Sequence, residues 1–418
     1  MKPGITTALR LLFSVLAIFP LACFAFAQPQ QEETRGAPAE PVDAPEVRAQ
    51  MKLAQELLPK FPDRGAILYF LAAAHQHLDE TLPALESLKK CVELQEGFDP
   101  SGSPEFMGLR GTHDFDSLVE KVHSDFPEVA KARVVLLTEE RDLVPEGLAW
   151  DEHRQVFYLG SLNLRKIVQI TPESRSSDFV PAGRDHLLPV LGIRPDPQDG
   201  SVWAASFEES GKTELLHFDP SGRLLGRFAP QDDQRHGFND LVVRPGGDVF
   251  VTDSLGNLVY RFDPTAKSFS ALSLHRRLIY PNGIAITPDG GTLFVADALG
   301  VLRVDLSTSA SKDIDPGRHT TLAGIDGLYW HAGSLIAIQN GIGSPRVAAF
   351  KLSSDSLRVT RTTVLESRTP LTELPTTGAI RGSDFYFITN SQIDNMMNDK
   401  VMDVTRLAPV RIAVVPLP

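Results

Sequence analysis

Two spacings of apolar residues divide the chain. Between Pro45 and about Pro127 they recur three and four apart, as in Leu71, Ala72 and His75 and then Ala84, Leu88 and Cys91, which predicts helices. A further helix is expected over Val47 to Leu58, and a last one over Phe115 to Val122. Beyond Arg133 this spacing stops, and short β-rich runs bounded by turn residues replace it. The clearest runs are Val156 to Leu159, Val202 to Ala205, Val249 to Thr252, Leu293 to Ala296, Leu335 to Ile338 and Phe385 to Ile388. Before each lies another strand, opening after Gly147, Gly192, Asp240, Gly283, Gly327 and Gly378, and these markers stand 45, 48, 43, 44 and 51 residues apart. A period of roughly 40 to 50 residues built of four short strands is the pattern of a β-propeller blade. Third strands end in Phe-Asp-Pro at 218–220 and 262–264, where Asp and Pro turn the chain back. The sixth repeat is one strand short. Its own two strands and Val410 to Val415 make three, and Arg133 to Leu137 can supply the fourth, hiding two sheet edges that would otherwise be open. The predicted fold is an all-β, six-bladed β-propeller over 133–418, preceded by a small α-helical module over 45–127.

One place before each marker stand Glu146, Leu191, Asn239, Asn282, Asp326 and Thr377. Equivalent positions in a propeller lie on a circle at one end of its axis. Four oxygen-bearing side chains, from blades one, three, four and five, are therefore expected to converge. Two carboxylates and two amide carbonyls are hard ligands with two negative charges, a set suited to a dication such as Ca²⁺, with Zn²⁺, Mn²⁺ or Mg²⁺ as alternatives. No cysteine or histidine pair joins them, which argues against a structural zinc site. Asn and Asp also favour such places for their turn-forming hydrogen bonds, so each alone reads as structural. The shared register, with Glu146 a poor turn former, points to a metal. Around the ring, Asp240 either orients Asn239 or closes a turn. His236 either faces the mouth or is a solvated loop histidine, and Thr377 lines the site from blade six. Asp297, at the far end of the hairpin that Asn282 begins, occupies the place of Asp253 and reads as a strand-end turn residue.

These residues carry a resemblance. Pro145-Glu146-Gly147-Leu148-Ala149-Trp150, Phe238-Asn239-Asp240, Pro281-Asn282-Gly283 and Ile325-Asp326-Gly327-Leu328 resemble the four metal-binding motifs of the family of senescence marker protein (regucalcin), gluconolactonase and luciferin-regenerating enzyme. The resemblance covers about 133–418 and implies a six-bladed propeller with one divalent ion held by Glu146, Asn239, Asn282 and Asp326. It also implies hydrolysis of lactones, with phosphotriester hydrolysis in related propellers. Asp326 is then the expected catalytic base. In members that hydrolyse sugar lactones, an arginine often stands two places before the third-blade asparagine. Here that place is Gly237, with Arg235 and His236 near but shifted. The expected function is a metal-dependent lactonase acting on a small lactone or ester; the alternative is a non-catalytic propeller that binds a ligand or protein.

Composition narrows the partners. The 418 residues are 42% hydrophobic and carry a net charge of −12 without a cluster of Lys and Arg, which excludes a nucleic-acid partner. Lys2 and Arg10, the apolar run from Leu11 to Ala27 and its Ala25-Phe26-Ala27 exit predict a signal peptide over 1–27, hence a periplasmic or secreted protein with no membrane span after cleavage. Pro20 stands where a lipobox wants an aliphatic residue, which argues against lipid anchoring at Cys23. The cleaved chain keeps one cysteine, Cys91, so disulfides do not hold it together. Residues 28–44, rich in Gln, Glu, Pro and Ala, read as a flexible linker. The helical module resembles a tetratricopeptide repeat around Leu71 to Cys91. It serves either as a surface for a protein partner or as a packing adaptor, since so few repeats cannot bury both faces alone.

Overall fold

The computed structural model describes residues 44–418. The leader expected over 1–27, Cys23 and nearly all of the linker lie outside this range. The chain forms two compact units. One ends at Phe126 and includes Ile342–Ser344; the other comprises Pro127–Gly341 and Pro345–Pro418.

Among the described residues the first unit contains four helices, α1 (Ala44–Leu57), α2 (Gly65–His77), α3 (Thr81–Glu93) and α4 (His113–Asp125), with two short 3₁₀ turns before the last. Helix α4 extends beyond its apolar stretch because Asp114 and Asp116 lie in its first turn, where the helix dipole favours acidic residues. Ala72, Ala84 and Cys91 are almost wholly buried, and such small side chains let helices approach closely. The Cys91 thiol donates to Gly65 O at 3.3 Å, and burial pushes its pKa up, so it is an inert packing group. Among the described residues no helix is long and apolar enough to cross a membrane.

The second unit is a six-bladed β-propeller, each blade a four-stranded antiparallel sheet. Blade one runs Pro145–Asp151, Val156–Ser161, Ile167–Ile170 and Ser176–Val180, and the next four blades repeat that order. Blade six is completed by the strand Arg133–Thr138, which pairs antiparallel with Val410–Pro416, so the first strand of the propeller closes the ring. The core is distributed between blades. Ala149 and Tyr158 of blade one pack on Ile193 and Ala204 of blade two, and corresponding apolar layers fill the other interfaces. Stability here comes from face-to-face sheet packing, with a buried Leu→Ala change expected to cost about 2–5 kcal/mol.

Two features position the site. In blades one, two, three and five the innermost strand bulges, with register breaks between Pro145 and Leu148, Val190 and Ile193, Phe238 and Leu241, and Ile325 and Leu328. Such bulges re-aim the residues inside them. Glycines at the start of the innermost strands are dictated by crowding of neighbouring blades. A Cβ on Gly147 would lie 1.9 Å from Leu191 O, and one on Gly283 would lie 2.4 Å from Asp326 O. Separately, the long connection between the last two strands of blade six carries a hairpin, Met396–Met397 with Lys400–Val401, that the period of the repeats does not reveal.

Candidate active site at the propeller axis

Glu146 and Asp326 are each 7% exposed and lie within the bulges just described. Glu146 Oε2 and Asp326 Oδ1 are buried with no hydrogen-bond partner. A buried carboxylate oxygen without a donor is costly and rare, and clusters where chemistry is done. Burial pushes the Asp326 carboxyl up to about 7, Asn340 and Asn282 oppose this by donating to it, and Asp240 adds repulsion. Burial likewise raises Glu146 well above the ordinary carboxylate range, with Asp326 and then Asp240 adding to the shift. Glu146, Asn282 and Asp326 are thus brought together, with Asp240 near enough to act on both acids.

Asn239 is held by the strand beside it. Its Nδ2 donates to Ser254 Oγ at 3.2 Å, and Ser254 donates onward to Pro281 O at 2.6 Å. Asn340 Nδ2 donates to Asp326 Oδ2 at 2.5 Å and to Pro375 O at 3.0 Å. Ser254 and Asn340 each stand one residue past the second strand of their blade, Val249–Asp253 and Ser334–Gln339. A second register therefore supports the first, and this repeat was present in the sequence, one strand away from the residues it supports. Thr252 Oγ1 accepts from Asp240 N at 3.0 Å and donates to Asn282 O at 2.8 Å, tying blade three to blade four. The Thr377 hydroxyl donates to Glu146 O, which ties blade six to the backbone of blade one beside the site.

Other expected residues separate out. His236 is buried between Asp253 and Asp232, at 2.9 Å from the latter, so it is not a solvated loop histidine, and both ring nitrogens are engaged. Asp240 is 2% exposed and does more than close a turn, since it pairs with Arg194 at 3.0 Å. Sequence reasoning also passed over Tyr280, two residues before Asn282. It is half-buried with a φ of 48°, a left-handed conformation that bulky residues rarely adopt, and its phenol is raised by burial and by Asp326 and Glu146.

Residues 144–327 match the model of the SMP-30/Gluconolactonase/LRE-like region. That segment of the propeller, from the first blade to the start of the fifth, is similar to this family. No curated protein matches the chain. Among solved structures it is similar to a gluconolactonase from Xanthomonas campestris, at 16% identity over 69% of this chain and 96% of that one, with a TM-score of 0.46. It is also similar to a catalytically inactive virginiamycin B lyase from Staphylococcus aureus with quinupristin (14% identity, 69% and 99% of the two chains, TM-score 0.49) and to luciferin-regenerating enzyme (16%, 66% and 91%, TM-score 0.45). These likenesses carry nothing about activity.

The donor set bears on the cation that the family resemblance implies. Among the described residues no three His, Cys, Asp or Glu side chains are grouped to hold a metal. Glu146, Asn282 and Asp326, with Asn239 as the expected fourth member, make a set of a different kind, part carboxylate and part amide. Its two orphaned carboxylate oxygens fit a hard dication, which would supply the missing partner of each.

Proposed function

We propose that the protein is a metal-dependent hydrolase of lactones or related esters, with Glu146, Asn239, Asn282 and Asp326 holding one divalent cation, Ca²⁺ by the hardness of the set. The observation that carries this reading is the pair of buried carboxylates, each with one oxygen lacking any partner, at the axial end of a propeller similar to this family. When bound, the cation supplies Lewis-acid polarisation of the acyl carbonyl.

The chain's own residues supply the rest. Asn340 donates to Asp326 Oδ2, which leaves Oδ1 to face the cation and the reacting group. In hydrolysis, water adds to the acyl carbon and its proton passes to Asp326; the ring C–O bond then breaks and the leaving alkoxide takes that proton back. Burial holds the Asp326 carboxyl up at about 7 without a cation, and the charge of a bound dication would lower it and keep the base ionised. Ser254 fixes the amide of Asn239, and Thr377 with Thr376 fixes the backbone of Glu146. Where sugar-lactone hydrolases often present an arginine, Gly237 offers no side chain, so that one contact to a sugar acid is missing here.

The test is a panel of lactones, aryl esters and phosphotriesters assayed with Ca²⁺, Mn²⁺ and Zn²⁺. Sustained turnover that EDTA abolishes and the cation restores is expected. Binding of the cation without turnover on any of these classes would overturn the hydrolase and leave a ligand-binding propeller.

A further inference from the structure

Five of the six blades carry glycine directly after the ring residue; blade three carries Asp240. An aspartate fits there because its neighbour in blade two is Gly192, where a Cβ would stand 2.9 Å from Asp240 Oδ1 and 2.8 Å from its Cα. A third carboxylate is therefore buried beside the two that lack partners. Left alone it would repel both, or swing to join them. Neither of its oxygens is free. Leu241 N donates to Oδ1 at 2.8 Å, and Arg194 NH2 donates to Oδ2 at 3.0 Å.

Arg194 comes from blade two, whose ring residue, Leu191, offers no oxygen. It is braced on two further sides. NH1 donates to Ile193 O at 2.8 Å, and the guanidinium lies over the Tyr329 ring, 5.4 Å from its centroid. Tyr329 in turn accepts from Gly378 N at 2.6 Å, so the brace runs from blade two through blade five to blade six.

We propose that Arg194 is a charge lock, a positioning residue that holds Asp240 out of the cation's ligand set and keeps the ring at two negative charges. The inference rests on the axial ring being a cation site, and it adds a determinant of affinity that lies outside the four ligands. The lock makes an unusual demand on the variants. Asp240→Asn leaves the guanidinium unbalanced beside the ring, so cation affinity falls, about tenfold for a group that acts on ligands from outside. Arg194→Met releases a third carboxylate toward the ring, so affinity rises. Combining the two removes both charges, and affinity returns toward that of the parent protein. Arg194→Lys keeps the charge and stays near the parent.

The experiment is calorimetric titration of Ca²⁺ into EDTA-stripped full-length protein at fixed ionic strength, with circular dichroism to verify folding. Because Arg194→Met strands a buried carboxylate and can unfold the domain, the deciding comparison is the double variant against Asp240→Asn alone. Tighter binding by the double variant, about tenfold, supports the lock, since a purely structural role predicts that a second lesion does further harm. A double variant no better than Asp240→Asn overturns it, as does unchanged affinity in Asp240→Asn. If the parent protein binds no divalent cation, the ring reading itself fails and the lock with it; if the parent binds and the pattern is absent, only the lock fails.

Discussion

Asp326 and Asp297 are both buried aspartates on neighbouring blades, 7% and 3% exposed, yet they do opposite things. Asp297 is saturated. Arg276 grips both of its oxygens, one at 3.0 Å, while Ile279 N and Leu299 N donate at 2.9 and 3.0 Å. Asp326 has amide donors on its Oδ2 side, Asn340 foremost, and no hydrogen-bond partner on Oδ1, and burial holds its carboxyl up to about 7. A buried acid whose every lone pair is met belongs to the scaffold; one left partly unmet is held ready for a proton or a cation.

The sharpest way to break this contrast is to neutralise each acid. Asp326→Asn is expected to lower hydrolysis by about 10²- to 10⁴-fold, the usual contribution of a general base, with stability unchanged or raised. Asp297→Ala is expected to leave cation stoichiometry intact while destabilising the fold by about 3 kcal/mol, because it breaks a buried ion pair, leaves Arg276 only Asp313 and removes the acceptor of two backbone N–H groups. Steady-state kinetics paired with urea unfolding of both variants decides this, and an exchange of the two outcomes would dissolve the distinction.

Cation removal probes the same contrast. Ca²⁺ at a hundred times its Kd is expected to stabilise the parent protein by about 2.7 kcal/mol over the EDTA-treated form. Asp297→Ala should keep this increment and Asp326→Asn should lose it, as read from melting curves with and without the ion.

His236 provides a saturated counterpart on blade three. Its pKa is pushed up to about 8, chiefly by its hydrogen bond to Asp253, with burial opposing and Asp232 adding. The folded value lies above the unfolded one of about 6.5, so this contribution is fully present below about pH 6.5 and lost as pH rises through about 8; it is of order 2 kcal/mol. His236→Gln is expected to flatten the decline in stability between those values, measured by unfolding across pH relative to the parent.

The smallest effect belongs to the support of the unsaturated acid. Asn340→Ala is expected to weaken cation affinity by about tenfold with little change in melting temperature. Unaltered affinity would mean that the amide on Asp326 Oδ2 does not orient the other oxygen.

Much of this was legible in one dimension. Six strand pairs at a steady period, with Arg133 to Leu137 left over to close blade six, identify the propeller because each blade must alternate apolar and turn residues to bury two sheet faces. The expectation that Glu146, Asn239, Asn282 and Asp326 share one height follows from the same period, since a closed ring turns equal register into equal height on the axis; the structure brings Glu146, Asn282 and Asp326 together. Helix α4 and the hairpin at Met396–Val401 were less visible, because their polar ends and short strands carry no period.

Register alone could not say which polar residues have their hydrogen bonds met. Asp240 sits where its neighbours are glycine, but only the approach of Arg194 from the adjacent blade makes it a paired charge. His236 looked like a loop residue until Asp253 and Asp232 closed on it. Sequence by itself determined the number of blades and the register on which the candidate ligands stand, because both follow from a repeating pattern of burial. Tertiary structure decided which of those oxygens are left without a partner, because that depends on donors brought in from other blades at hydrogen-bond distance, and a linear pattern does not encode distance.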